Sequence, residues 1–165
     1  MKSPICEICL KSGLLCSACQ GKVSTGELKQ SDVDILSLIY KESERNNVSD
    51  LVEIKKIIYA KDALLIVCSH GSAAKIVGRG GYFAKKLKED LKKPVRVVEE
   101  SKDTKSFLQG IIFPGAIVNL NIVYTPKGES YRIVLRKNSK LSMPVSSFKS
   151  LASELLGKEV EIDFE

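Results

Sequence analysis

The sequence predicts an α+β chain in which a short cysteine-rich segment precedes two α/β units of similar wiring. Three observations lead there. Four of the five cysteines lie within residues 1–19, at regular spacing. From about residue 32 onward, segments of helical periodicity alternate with short apolar runs of strand character. The order helix, strand, strand, helix, strand can be read twice along the chain.

With 165 residues the chain can build one or two small domains with their own cores. An apolar fraction of 44% and a charged fraction of 28% fit an ordinary globular protein. The net charge of +6 favours a polyanionic partner. No apolar run approaches the ~20 residues that cross a bilayer, so no membrane partner is expected. Met1-Lys2-Ser3-Pro4 leads into cysteines rather than an apolar signal core, so a cytoplasmic location is expected. There the cysteines stay reduced, which favours metal binding over disulfides. Tryptophan is absent and aromatics make up 6%, which argues against a surface of many stacked bases.

The cysteines Cys6, Cys9, Cys16 and Cys19 form a C-x2-C-x6-C-x2-C array. Each C-x2-C turn can aim two thiolates at one point, and two such turns complete a tetrahedron around one Zn2+. Four sulfurs leave no open coordination position, so the expected zinc is structural. Ser12-Gly13 supplies the reversal between the two turns. Residues 1–25 are read as this knuckle, too short to make a core of their own, so that metal supplies the folding energy. Cys68 falls in an apolar run and reads as a buried core residue.

Residues 21–30 are polar and read as a linker. Ser31 reads as the cap of a helix over residues 32–46, whose Val33, Leu36, Ile39 and Tyr40 repeat at helical spacing. The acids of that helix make it a poor candidate to touch phosphate. Residues 48–59 read as a strand, 60–62 as a hairpin turn, and Ala63–Cys68 as a more buried strand. A short helix over 71–77 then meets Gly78-Arg79-Gly80-Gly81. A helix follows in which Phe83, Leu87 and Leu91 recur every fourth residue; Lys93-Pro94 ends it, and residues 95–98 form a strand.

The glycine loop is the most informative stretch. Glycines let a phosphate backbone come close, and the N-terminus of the next helix favours negative charge. Arg79 adds a cation within the loop. Between residues 71 and 100 the bases outnumber the acids by eight to four. The candidate binding residues are Lys75, Gly78, Arg79, Gly80, Gly81, Lys85, Lys86 and Arg96. His70, the single histidine, reads as incidental.

The order α-β-β-α-α-β with GxxG between the middle helices, over residues 31–100, resembles the type II KH domain. The resemblance is carried by Lys75-Ile76-Val77-Gly78-Arg79-Gly80-Gly81, Lys85-Lys86-Leu87 and the run from Lys93 to Val98. It implies binding of single-stranded RNA or DNA, with the loop clamping about four nucleotides.

Residues 101–165 repeat the wiring with a shortened middle: a helix near 107–112, strands at 116–124 and 131–135, a helix at 145–156 and a strand at 160–164. This looks like a second, degenerate KH-like unit. Ser142-Met143-Pro144-Val145 stands where GxxG belongs, and it lacks glycine. This half is expected to pack against the first and to extend the basic surface through Arg132, Arg136, Lys137 and Lys140. The acids Glu159, Glu161, Asp163 and Glu165 are expected to face away from RNA.

Tandem units of this kind resemble the archaeal NusA-like proteins. That implies a non-enzymatic factor acting in transcription elongation or termination, with RNA polymerase as a partner. The alternatives are a ribosome-associated or assembly factor with a ribosomal subunit as partner, and a zinc-dependent adaptor between proteins. No catalytic residues are expected: no nucleophile–base arrangement is visible.

Overall fold

All six residues of the apolar run 63–68 are buried. A strand turns alternate residues to opposite faces, so both of its faces must be covered. Leu64, Ile66 and Cys68 belong to one apolar core, and Ala63, Leu65 and Val67 to a second. The computed structural model, which describes all 165 residues, is organised around these two cores.

The chain begins with helices α1 (Glu7–Ser12), α2 (Ser17–Ser24) and α3 (Gln30–Arg45). Strands β1 (Ile54–Ala60) and β2 (Ala63–Cys68) follow, then α4 (Ala73–Val77), α5 (Tyr82–Leu91) and β3 (Val95–Glu99). The second half holds α6 (Thr104–Ile112), β4 (Ile117–Thr125), β5 (Gly128–Leu135), α7 (Val145–Leu156) and β6 (Glu159–Phe164).

The two sheets share one topology. β1 pairs antiparallel with β2, and β2 parallel with β3. β4, β5 and β6 repeat this order and these directions. A parallel neighbour requires a crossover. In the first unit it is α4, the glycine loop and α5; in the second it is α7 alone.

Layers alternate through the molecule. Leu36 and Ile39 of α3, Ile76 of α4, and Phe83 and Leu87 of α5 cover one face of the first sheet. On its other face Ile58, Leu65, Val67 and Val98 pack with Leu108 and Ile111 of α6 and with Phe148 and Leu151 of α7. The same two helices pack on Ile133, Leu135 and Val160 of the second sheet. The stack therefore reads helices, sheet, helices, sheet. Each fully buried Leu, Ile or Phe contributes about 1.5–3 kcal/mol, so this junction is a major source of stability. The outer face of the second sheet is polar, carrying Asn119, Asn121, Arg132, Glu161 and Asp163. It ends the stack as a solvent-facing cap.

Three local expectations are corrected. Residues 21–30 are not simply a linker, because α2 runs through Ser24 and Lys22 Nζ donates to the Pro4 carbonyl at 2.8 Å. Ser31 does not cap α3. Lys29 holds that position, and its backbone N–H donates to Asp32 Oδ2 at 2.8 Å. Residues 48–52 are not strand: Ser49–Leu51 form a 3-10 turn, and Ile54 N and the Val52 carbonyl pair instead with Lys2. The cysteine segment has no core of its own, and its Ile5 and Leu10 are buried in the cluster that also holds Val33, Leu36 and Ile39 of α3.

Candidate functional site

The cysteine spacing dictates the local structure at the N-terminus. Cys6 and Cys16 each occupy the position just before a helix, and Cys9 and Cys19 lie one turn inside. Gly13, at φ 72°, closes α1 in the left-handed conformation and turns the chain toward Cys16. All four sulfurs come within 4.8 Å of one another. Cys6 Sγ lies 3.3 Å from Cys9 Sγ and 3.9 Å from Cys16 Sγ. Sulfurs arranged tetrahedrally at about 2.3 Å around an ion would be separated by roughly 3.8 Å, so this group fits one metal ion.

Backbone amides surround the sulfurs. Cys16 N–H donates to Cys9 Sγ at 3.1 Å, and Cys6 N–H to Cys19 Sγ at 3.4 Å. The Cys9 amide holds the Cys6 thiol below its ordinary pKa, and the Cys19 amide does the same for Cys16, down to about 7. At Cys9 the Cys16 amide acts in the same direction, but burial and the neighbouring thiols push the group up to about 12. Cys68 is remote in β2, where its thiol donates to the Val98 carbonyl at 3.3 Å and burial raises its pKa to about 12. The sequence reading of Cys68 as a core residue agrees with this placement.

The glycine loop sits between two short helices at the surface. Gly78, Gly80 and Gly81 have φ of 77°, 59° and 75°, a region that other residues rarely enter. No atom lies within 4 Å of the point where a Cβ would sit on Gly80 or Gly81, so the main chain there is open to approach. Two of the four loop amides are used internally: Gly78 N–H donates to the Ala74 carbonyl and Gly81 N–H to the Gly78 carbonyl, both at 3.1 Å. Arg79 and Gly80 are exposed, and α5 starts directly behind them.

Lys75 and Arg79 line the cavity beside the loop, whereas Lys85 and Lys86 lie further along α5, with Lys85 in a separate depression beside Lys88, Lys92 and Lys93. Lys75 Nζ donates to the Gly71 carbonyl at 2.6 Å. Lys86 Nζ lies 3.9 Å from Glu42 Oε2. Arg96 is not brought to them. In β3 it pairs with Leu65, whose side chain belongs to the second core, so Arg96 points to the opposite face of the sheet. There its Nε donates to the Gly110 carbonyl at 2.9 Å, and its guanidinium lies 5.7 Å from the centre of the Phe113 ring. Burial lowers its pKa.

Two acids at this site escape sequence reasoning. Glu42, one of the acids that made its helix a poor candidate to touch phosphate, lines a cavity of about 510 Å³ beside the loop, together with Asn46, Val48, Arg79 and Tyr82. Its place near the end of α3 was the available signal, because that end meets α4. Glu99 Oε1 accepts from Gly71 N–H at 2.8 Å and Ala73 N–H at 3.3 Å, while Oε2 faces His70 Nδ1 at 2.9 Å. It ties the end of β3 to the start of α4 and so fixes the approach to the loop.

In the second unit, Ser142 Oγ donates to the Ile111 carbonyl at 3.0 Å and Met143 is buried. This stretch packs inward, with no open backbone comparable to the first loop. Arg132 does not extend a basic surface, because Glu161 Oε2 and Asp163 Oδ2 each lie 3.4 Å from it. Arg136, Lys137 and Lys140 are exposed.

No helix is long and apolar enough to cross a membrane. The fold and the site define an α+β protein with mixed sheets and a four-cysteine cluster able to hold one metal ion. No protein-family description and no curated protein matches the chain. Among solved structures, the crystal structure of APE1850 is similar over 78% of this chain and 94% of that chain, with 22% identity and a TM-score of 0.56. At that identity the likeness is one of fold.

Proposed function

We propose that the chain is a non-enzymatic factor that grips single-stranded RNA at Gly78–Gly81, in the manner of a type II KH domain, and carries one structural Zn2+ on Cys6, Cys9, Cys16 and Cys19. The observation that carries this reading is the open main chain at Gly80 and Gly81 beside the exposed Arg79. A loop of that shape at the head of a helix accepts an anionic backbone through amides, dipole and cation together. Lys75 beside the loop, and Lys85 and Lys86 further along α5, add charge. Arg96 supports the fold and is not part of the grip. Soft sulfur ligands in a closed shell suit zinc.

The αββααβ order of the first unit and its shortened repeat support a NusA-like role in transcription elongation or termination. Ile8 and Leu14, 75% and 76% exposed beside the cysteines, also favour a docking role for the knuckle on a protein partner. Purification from native cells distinguishes these, since RNA polymerase and ribosomal subunits are readily told apart.

The direct test is the double variant Arg79→Asp, Gly80→Asp, with strand binding followed by fluorescence anisotropy. Expected are loss of binding to single-stranded RNA, an unchanged circular dichroism spectrum, and a wild-type affinity that falls steeply with salt as counterions are released. Unchanged affinity in a folded variant overturns the reading.

A further inference from the structure

A phosphate-gripping loop would be expected to keep carboxylates away, yet the cavity beside Gly78–Gly81 is lined by Glu42. Its side chain is only 14% exposed, and its cationic neighbours are loosely placed: Lys86 Nζ at 3.9 Å and Arg45 at 3.5 Å. Asn46 Nδ2 donates to the Glu42 carbonyl at 2.8 Å, which closes the last turn of α3, and makes a longer contact of 3.4 Å to Glu42 Oε1 that an incoming base donor would displace. Val48, Ala74 and Phe83 supply apolar lining, and Tyr82 stands at the rim with 63% of its surface exposed.

We infer that this cavity takes one guanine base, splayed out of the strand held at the loop. The inference rests on the strand-binding reading above and assigns that site its base preference. A carboxylate offers two acceptor oxygens and no donor. Guanine is the base whose Watson–Crick edge presents two adjacent donors, N1–H and the N2 amino group, next to the O6 acceptor. Adenine offers that carboxylate one donor beside a ring acceptor, cytosine one amino donor, and uracil one N–H between two carbonyls. The Lys86 ammonium next to Glu42 supplies the donor that O6 requires. The Tyr82 ring supplies a face for stacking, as unpaired bases are commonly held. Arg79 and Lys75, on the same cavity, remain for the phosphates on either side of the base. The carboxylate then works for recognition, and the guanine N–H groups compensate its cost to phosphate binding.

The test compares short uridine strands carrying one central guanosine, inosine or adenosine, by fluorescence anisotropy with the full chain. Inosine lacks only the N2 amino group. The guanosine strand should bind roughly tenfold tighter than the inosine strand, the usual scale for losing a paired contact to a base edge. Glu42→Gln should abolish that preference while leaving affinity for the all-uridine strand equal or higher, because a negative charge is gone. Tyr82→Ala should weaken the guanosine and adenosine strands alike. Equal affinity for guanosine and inosine, or a preference that survives Glu42→Gln, overturns the base assignment while leaving strand binding intact. Failure of every strand to bind the wild-type chain overturns both readings.

Discussion

Arg96 Nε donates to the carbonyl oxygen of Gly110 at 2.9 Å, and this bond joins β3 of the first unit to α6 of the second. The guanidinium also lies over Phe113. A hydrogen bond from a charged group at a partly buried site contributes about 1.5–3 kcal/mol, and the aromatic contact adds to it. Arg96→Ala should therefore lower unfolding stability by about 2 kcal/mol in urea titration while leaving RNA affinity and its salt slope unchanged. A loss of affinity without a loss of stability would return Arg96 to the binding face.

The back face of the first sheet carries a second prediction. Ile58, Leu65, Val67 and Val98 are buried only because α6 and α7 cover them. A fragment of residues 1–100 would expose that face as one apolar patch, an aggregation liability. It should be insoluble or oligomeric in size-exclusion chromatography, and replacing Leu65 and Val67 by Thr should improve its solubility. The full chain should unfold in a single cooperative transition. A monomeric fragment as stable as the whole chain would show that the two units are independent.

Metal analysis supplies a third. The purified chain should carry one zinc per molecule, lost in Cys9→Ser and retained in Cys68→Ser, since Cys68 lies apart from the cluster. The ligands bind as thiolates, so metal entry displaces protons and acid reverses it. Affinity should fall as pH falls, including below about 7, where the lowered Cys16 thiol itself gains its proton. Removing the metal should raise amide exchange in α1 and α2, while β2, buried in both cores, keeps its protection. A chain without metal and with α1 and α2 fully protected would refute the centre.

Much of this was legible because each element had a local cause. The run Ala63–Cys68 read as buried, and the shortened middle of the second unit followed from the single helical segment between its last two strands. The four cysteines announced their cluster through spacing alone. Arg96 was misread for a reason of period: in a strand the face is set by a shift of one residue, and pairing with Leu65 decides it. Glu42 was passed over because a helix's acids look solvated until the packing partner of its last turns is known. Residues 48–52 had strand composition, but their pairing was with Lys2, a contact that no local pattern encodes.

Tyr59 and Asp32 provide a final test, one that concerns the fold rather than the site. The Tyr59 hydroxyl donates to Asp32 Oδ1 at 2.6 Å, joining β1 to the first turn of α3, and Lys29 Nζ lies 4.7 Å from the centre of the ring. Burial, and then the Asp32 carboxylate, raise the Tyr59 pKa well above its ordinary value. A group whose pKa is raised by folding contributes stability that is full below its unfolded pKa, about 10 for tyrosine, and is lost as pH rises beyond it. Tyr59→Phe should cost about 1–2 kcal/mol at neutral pH, because one oxygen of a buried carboxylate loses its partner. That deficit should shrink as pH climbs above about 10, since only the wild type must keep a phenol protonated there. Denaturant titrations of both chains at pH 7 and in the alkaline range check this, and a gap that stays constant would mean that Tyr59 ionises as freely in the folded chain as in the unfolded one.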